Sequence, residues 1–201
     1  MLVAFTLALA MLAQDPDAAR EAGDRILATG QADDIFRNVS EDGVILLKHP
    51  PSGMICQFDT EAARNNVRIY PVREGVRDRG DDVGCGTTPG MAFTTYATRY
   101  RPAVSEEAAM AQAISEIEAI WSEVKRLDIA APPAFADARF AAYQGRHPNG
   151  QALSTVVLIR QSGPWIFKIR ASGPPDEAEA LARSAAEMFA AQLPPPVDAA
   201  R

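Results

Sequence analysis

Apolar residues recur at spacings of three and four in three segments, which is the pattern of helices that bury one face. The spacing predicts helices over residues 16–29, 105–127 and 175–192. Ser105 stands at the position of an N-cap for the middle helix, because its hydroxyl can accept a hydrogen bond from the first turn. The apolar stripe of that helix consists of Met110, Ala113, Ile114, Ile117, Ile120, Trp121, Val124 and Leu127.

Alternating or continuous apolar runs predict strands between these helices. They cover residues 44–47, 54–58, 67–71, 83–88, 91–100, 135–143, 153–160 and 165–171. The run Val156-Val157-Leu158-Ile159 is apolar on every side, which is typical of an interior strand covered on both faces. In the last strand, Trp165, Phe167 and Ile169 are expected to point inward, whereas Lys168 and Arg170 point out.

This element order predicts an α+β fold in which a mostly antiparallel sheet of six or seven strands is packed by two main amphipathic helices. The length of 201 residues suits one domain, which we place at residues 14–193. Residues 194–201 are rich in proline and alanine and are interpreted as a tail.

The first 13 residues, MLVAFTLALAMLA, form an unbroken apolar run that ends at a polar segment. The run is too short to span a membrane and has the length of a signal-peptide core. Ala8, Ala10 and Ala13 offer small residues for cleavage near residues 10–14, although no basic residue precedes the run. We therefore expect a periplasmic or secreted protein whose mature chain has no stable membrane span. The alternative is an N-terminal helix buried in the fold.

Composition excludes several classes of protein. Apolar residues make up 47% of the chain, which is too many for a disordered protein. The formal net charge is −6, and only three of the 20 basic residues are lysines. An acidic chain of this kind is a poor candidate for nucleic-acid binding, so we expect no nucleic-acid partner.

The two cysteines, Cys56 and Cys85, agree with export, because an even number of cysteines in an oxidising compartment indicates a disulfide. Two buried free thiols or one reactive thiol are the alternatives. The chain contains no C-x-x-C motif, so neither a thioredoxin-like redox site nor a zinc ribbon is supported.

Two resemblances follow from these residues. The stretch from His49 to Phe58, HPPSGMICQF, together with Asp82-Val-Gly-Cys85, resembles a set of uncharacterised exported proteins of alphaproteobacteria. The element order over residues 40–192 is similar to the PsbP/Mog1-like α/β/α sandwich. Both resemblances concern sequence pattern or fold, and neither implies an activity or a functional residue.

Catalytic and metal-binding patterns are scarce. Both histidines, His49 and His147, adjoin proline and are expected on surface turns. A Cys56–His49 nucleophile–base pair is conceivable, but a buried or disulfide-bonded Cys56 is favoured. The acidic and basic segment 73–82 is interpreted as a solvated loop. We therefore assign no catalytic residue, no metal ligand and no cofactor.

Tyr96 and Tyr100 point away from Met91 and Phe93 on the strand at 91–100, and they form a candidate binding surface if no helix covers them. We expect the helix at 105–127 to cover them. Together with His49, they are the weak candidates for binding residues.

The leading functional hypothesis is an exported, non-enzymatic α+β domain that binds a partner protein or an envelope component. The alternative is a small exported hydrolase that uses Cys56 with His49 or the acidic loop at 73–82. A ligand-binding module is a third class, and it requires a cavity between sheet and helix.

Overall fold

The computed structural model describes residues 16–58, 65–87 and 91–194. The predicted signal peptide (1–13) and all but the first residue of the predicted tail (194–201) lie outside them. The helices are α1 (Pro16–Gly30), α2 (Glu106–Ile120) and α3 (Ala178–Gln192), with a 3-10 turn at Pro133–Phe135. The strands are β1 (Arg37–Asn38), β2 (Ile45–Lys48), β3 (Ile55–Phe58), β4 (Asn66–Ile69), β5 (Asp82–Thr87), β6 (Ala92–Thr98), β7 (Ser122–Arg126), β8 (Arg139–Arg146), β9 (Ala152–Ser162) and β10 (Trp165–Gly173).

The strands form two antiparallel sheets, and the predicted α+β class is confirmed. The small sheet has the order β1-β2-β3, and the large one has the order β4-β5-β6-β10-β9-β8-β7. The long hairpin of β9 and β10 occupies the middle of the large sheet, paired from Ser162 opposite Trp165 to Ser154 opposite Gly173. Residues 154–159 of β9 are buried on both faces, as the apolar run predicts.

The two faces of the large sheet are covered unequally. On one face, α1 packs on β4, and α3 packs on β6, β9 and β10. The small sheet joins this layer through its contacts with both helices. On the other face, α2 packs on β7, β8 and β9. The core is therefore continuous on the first face, whereas α2 leaves the β4–β6 part of the second face open.

A disulfide between Cys56 and Cys85 joins the two sheets, with 5.9 Å between the Cα atoms. Cys56 lies in β3 and Cys85 in β5, and both side chains are buried in the core under α1 and α3. The predicted bridge is thus confirmed, and no cysteine is free. It links the small sheet covalently to the large one, between which no strand pairing occurs among the described residues.

The predicted helix at 105–127 is correct in its first two thirds and wrong in the last. Ser105 caps α2 as expected, since its hydroxyl accepts a hydrogen bond from the Ala108 amide at 3.1 Å. The helix ends at Ile120, which is 54% exposed, and Trp121 turns into extended backbone. Residues 122–126 then pair with β8 as the edge strand β7. This pairing satisfies backbone groups along β8, a gain that apolar spacing cannot reveal.

Other predicted boundaries move by a few residues. The strand predicted at 135–143 begins at Arg139, because the 3-10 turn holds residues 133–135. The last helix begins at Ala178 rather than at residue 175, and the strand predicted at 91–100 spans Ala92–Thr98. Among the described residues, no helix combines the length and the apolar character needed to cross a membrane.

Candidate functional site

A cleft of about 340 Å³ opens where α2 leaves the large sheet uncovered. Its floor is the open face of β5, β6 and β10, and α2 forms one wall. We call it the tyrosine cleft, because Tyr70, Tyr96 and Tyr100 line it and the chain has only four tyrosines. Its other polar lining residues are Arg73, Asp82, Thr98, Gln112, Glu116 and Lys168.

The helix expected to cover Tyr96 and Tyr100 covers them only in part, because α2 packs mainly over β7–β9. Tyr100 packs against the apolar cluster under α2, and both tyrosines also line the cleft beside it. Tyr96 is in β6, and its ring lies 5.8 Å from that of Tyr70, which follows β4. Gly84 lies beneath both rings: a Cβ built there would come within 3.3 Å of Tyr70 and 3.5 Å of Tyr96. The absent side chain thus lets two phenol rings lie close to the sheet.

The phenol groups of Tyr70 and Tyr100 remain protonated in ordinary buffers. Burial is the main cause that raises the pKa of Tyr70 and of Tyr100 above the usual value. The nearby negative charge of Asp82 adds to both shifts. Each of these two hydroxyls therefore keeps its proton and has both a donor and an acceptor position.

The charged side chains of the cleft face opposite charges. Asp82 lies 2.6 Å from Arg73 and accepts a hydrogen bond from the Thr98 hydroxyl at 2.7 Å. Burial raises the pKa of Asp82, although Thr98 and Arg73 oppose the shift. The Lys168 ammonium lies 3.6 Å from the Glu116 carboxylate and 4.4 Å from the centre of the Tyr96 ring.

The sequence predicts that Lys168 and Arg170 point into solvent. This prediction is wrong, because α2 half covers the face of the sheet opposite Phe167. Lys168 is the cross-strand partner of Tyr96, and this pairing places the ammonium over the ring. Burial lowers the pKa of Lys168, with the neighbouring acids opposing the shift. Arg170 lies over the ring of Trp121, 5.5 Å from its centre.

The interpretation of residues 73–82 as a solvated loop is wrong at its end. Asp81 and Asp82 are both buried, at 1% and 4% exposure. Each has an arginine partner, which compensates for the loss of hydration. Asp82 pairs with Arg73 on the α2 side of the sheet, and Asp81 pairs with Arg99 on the other side.

His49 is not on a surface turn but fully buried, on the opposite face of the sheet from the tyrosine cleft. Its ring lies between those of Phe36 and Trp165, with 5.3 Å between centres in each case. Ser52 binds its Nδ1 at 2.8 Å, so the turn itself supplies a polar partner. A histidine beside two prolines can therefore enter a core when aromatic rings surround it.

The structure brings no catalytic set together from the predicted residues. Cys56 is held in the disulfide, so the Cys56–His49 nucleophile–base pair has no thiol to activate. Asp81 and Asp82, the buried acids of the 73–82 segment, are both engaged with arginines. Within the part of the chain that the structure describes, no three His, Cys, Asp or Glu side chains cluster as metal ligands.

Tyr96 and Tyr100 were predicted as candidate binding residues from the sequence, whereas Tyr70 and Lys168 were not. Asp82 was a candidate only as part of the acidic loop at 73–82. Alternation along β10 places Lys168 on the face opposite Phe167, and this signal was present. That the face meets Tyr96, rather than solvent, follows only from the pairing of β6 with β10, two strands that lie far apart in sequence.

No family model matches the chain, and no curated protein matches it. Among solved structures, it is similar to PA94, a Pseudomonas aeruginosa protein of unknown function, at 10% identity and a TM-score of 0.42. That match covers 77% of this chain and 99% of the other. LpqN, involved in cell envelope biogenesis of Mycobacterium tuberculosis, matches at 13% identity and a TM-score of 0.34. That match covers 64% of this chain and 82% of LpqN. These distant matches add nothing to the resemblances given above.

Proposed function

We propose that this protein is an exported, non-enzymatic domain that binds an envelope component, and that the tyrosine cleft is its binding site. The ligand class that the cleft fits is a neutral, hydroxyl-rich molecule with flat apolar faces, such as a sugar ring. The observation that carries this proposal is the combination of three tyrosines with charged side chains that already face opposite charges.

The charge pattern disfavours an ionic ligand. Asp82 is matched by Arg73, and Lys168 is matched by Glu116, so the charged lining residues sum to zero. An ionic ligand would have to break one of these pairs. Paired groups still offer hydrogen bonds, because each carboxylate and each guanidinium has more donor or acceptor positions than one pair uses. Phenol rings add flat apolar surface for the faces of a sugar.

Export is supported by two features of the sequence and the fold. The apolar run at residues 1–13 has the length of a signal-peptide core and is followed by a polar segment. The disulfide between Cys56 and Cys85 is of the kind that persists outside the reducing cytosol.

A titration with neutral oligosaccharides tests the binding proposal. Chitotetraose and maltotetraose are added separately to the full chain, and the aromatic ring signals are followed by NMR. We expect saturable shifts of the Tyr70, Tyr96 and Tyr100 rings and loss of binding in Tyr96→Ala. The matched control is Tyr143→Phe, because Tyr143 lies under α2 outside the cleft and its change removes only a hydroxyl.

Two outcomes contradict the proposal. One is the absence of saturable shifts with either oligosaccharide. The other is binding that Tyr96→Ala leaves unchanged, which would place the sugar elsewhere on the surface.

Export is tested separately, with alkaline phosphatase fused to the C-terminus of the full chain. The fusion is expected to be active in whole cells, because the enzyme needs an oxidising compartment to form its disulfides. The control lacks residues 2–13 and should be inactive. Equal activity of the two fusions would remove residues 1–13 as the export signal.

A further inference from the structure

A second recess lies on the other face of the large sheet, beneath the loop between β2 and β3. It has a volume of about 500 Å³ and is lined by the segment before β1, by that loop and by residues 79–81. We call it the histidine pocket, because His49 is the fully buried histidine among its lining residues. None of its lining residues belongs to the tyrosine cleft.

His49 brings an unsatisfied polar atom to this pocket. Its Nδ1 is bound to Ser52, which does not line the pocket, whereas Nε2 is buried without a hydrogen-bond partner. Nε2 lies near Gly80, which lines the pocket. A Cβ atom built on Gly80 would be 3.9 Å from the Nε2 atom of His49. A buried polar atom without a partner costs free energy, and an occupant of the pocket would recover that cost.

Hydrogen-bond accounting identifies Nε2 as a donor. The Ser52 hydroxyl oxygen already accepts a hydrogen bond from the Met54 amide at 3.2 Å. If the Ser52 hydroxyl donates to Nδ1, its own proton is satisfied, and the ring proton is on Nε2. The other tautomer would leave two groups unsatisfied, namely the Ser52 proton and Nε2. The arrangement with fewer losses therefore presents an N–H group to the pocket.

One guanidinium beside this N–H is unpaired and can bind an electron-rich oxygen. The pocket is lined by three arginines (Arg37, Arg79 and Arg99) and three aspartates (Asp33, Asp34 and Asp81), so the formal charges of its lining sum to zero. Arg79 is paired with Asp34 and Arg99 with Asp81, while Arg37 and Asp33 have no ion-pair partner among the described residues. An anion can therefore bind Arg37 without breaking an ion pair.

We propose that the histidine pocket is a binding site for an oxyanion, held by the Nε2–H group of His49 and by the guanidinium of Arg37. A carboxylate and a phosphate share this chemistry, because both offer acceptor oxygens with negative charge. The site is independent of the tyrosine cleft, so either proposal can fail without the other.

The two histidines of the chain make the test direct, because His147 lies in the β8–β9 turn and serves as an internal control. The full chain is labelled with 15N at histidine, and its ring signals are followed by NMR while sodium phosphate or sodium succinate is added. Sodium chloride at matched ionic strength controls for screening. We expect a saturable shift of the His49 Nε2 signal with phosphate or succinate, and none at His147. The oxyanion that binds more tightly identifies the chemical source.

A pair of arginine variants locates the anion. Arg37→Gln is expected to weaken binding about tenfold, as the loss of one charge-assisted hydrogen bond would do. Arg183→Gln changes an exposed residue of α3 that does not line the pocket, and it should leave binding unchanged. Three results would overturn the proposal: a 15N shift placing the proton on Nδ1, a His49 signal that responds only as it does to chloride, or equal affinity in both variants. The second result would mean that water alone fills the pocket.

Discussion

The tyrosine cleft and the histidine pocket lie on opposite faces of the same sheet, and consecutive residues supply both. Asp82 and Thr98 face the cleft, while their neighbours Asp81 and Arg99 face the pocket. The cleft has matched charges and tyrosine hydroxyls, whereas the pocket has a buried histidine nitrogen without a hydrogen-bond partner. Strand alternation therefore allows one short segment to build two recesses of different chemistry.

The two recesses also differ in what holds them together. The floor of the cleft is formed by β5, β6 and β10, which are interior strands of the large sheet. The pocket depends on the loop between β2 and β3, which is fixed to the large sheet through the disulfide and core packing. The following changes act on one side of the sheet more than on the other.

Removing the disulfide with Cys56→Ser and Cys85→Ser should have the largest effect. The bridge spans 29 residues, and a loop of that length stabilises a protein by about 3.5 kcal/mol in the chain-entropy model. Urea denaturation should show a loss of that order. Hydrogen exchange should accelerate in β2 and β3 before it does in β9 and β10. A uniform acceleration would show that the small sheet has no separate dependence on the bridge.

Acidification should destabilise the histidine-pocket side. Burial, followed by the charge of Arg99, lowers the pKa of His49 from 6.5 to about 4. Above about pH 6.5 the group is neutral in both states and contributes nothing. Between about pH 6.5 and 4 the unfolded chain takes up a proton that the folded chain does not, so the free energy of unfolding falls by up to about 3 kcal/mol.

The measurement is urea denaturation at a series of pH values, compared with His49→Phe. The variant should lack this loss, because Phe cannot take up a proton. Asp82 contributes with the opposite sign, since its raised pKa makes the folded chain bind a proton first as the pH falls. Parallel pH profiles for the two proteins would contradict the assignment to His49.

Two glycine variants compare the recesses directly. Gly80 lies beside the pocket with φ +95°, and a Cβ there would come within 3.0 Å of Ile35. Gly80→Ala should cost about 1–2 kcal/mol of stability because of backbone strain and this contact. Gly84 beneath the tyrosines has no such φ, so Gly84→Ala should cost under about 1 kcal/mol while shifting the Tyr70 and Tyr96 ring signals in NMR spectra. Equal losses would show that the cleft floor is as constrained as the pocket.

The smallest stability effect is expected from Lys168→Met in the cleft. The change removes a half-buried ammonium and keeps much of the side-chain volume. Lost contacts to Glu116 and Tyr96 offset the lower desolvation cost, so thermal unfolding should change by less than about 1 kcal/mol. Binding of the oligosaccharides should nevertheless weaken. A large loss of stability would make Lys168 a structural residue rather than part of a binding surface.

Sequence patterns predicted what depends on local periodicity. The class of the fold, the covered strand β9, the N-cap at Ser105 and the pairing of the two cysteines all followed from composition, spacing or alternation. The end of α2 did not follow, because Trp121 and Val124 fit a helical stripe as well as they fit the turn into β7. The choice between the two depends on the free edge of β8, which lies 20 residues further along.

The residues of the two recesses were likewise predictable only as far as local strand alternation reveals them. Tyr96 and Tyr100 could be placed on one face of a strand, but the position of α2 decides whether that face is open. The burial of His49 could not be predicted, because it depends on Phe36 and Trp165, which come from distant segments. Asp81 was misjudged for the same reason, since its arginine partner, Arg99, lies outside the 73–82 segment.

The unexpected strand β7 also bears on solubility. As the last strand of the large sheet, it presents backbone groups to which another chain could add a strand. A bulge between Ser122 and Lys125, with Glu123 at φ 55°, breaks the regular spacing of those groups. Lys125 and Arg126 are exposed beside it and repel the same edge of a second copy. At the other end of the sheet, β4 has only four residues, so both ends of the large sheet resist edge-to-edge polymerisation.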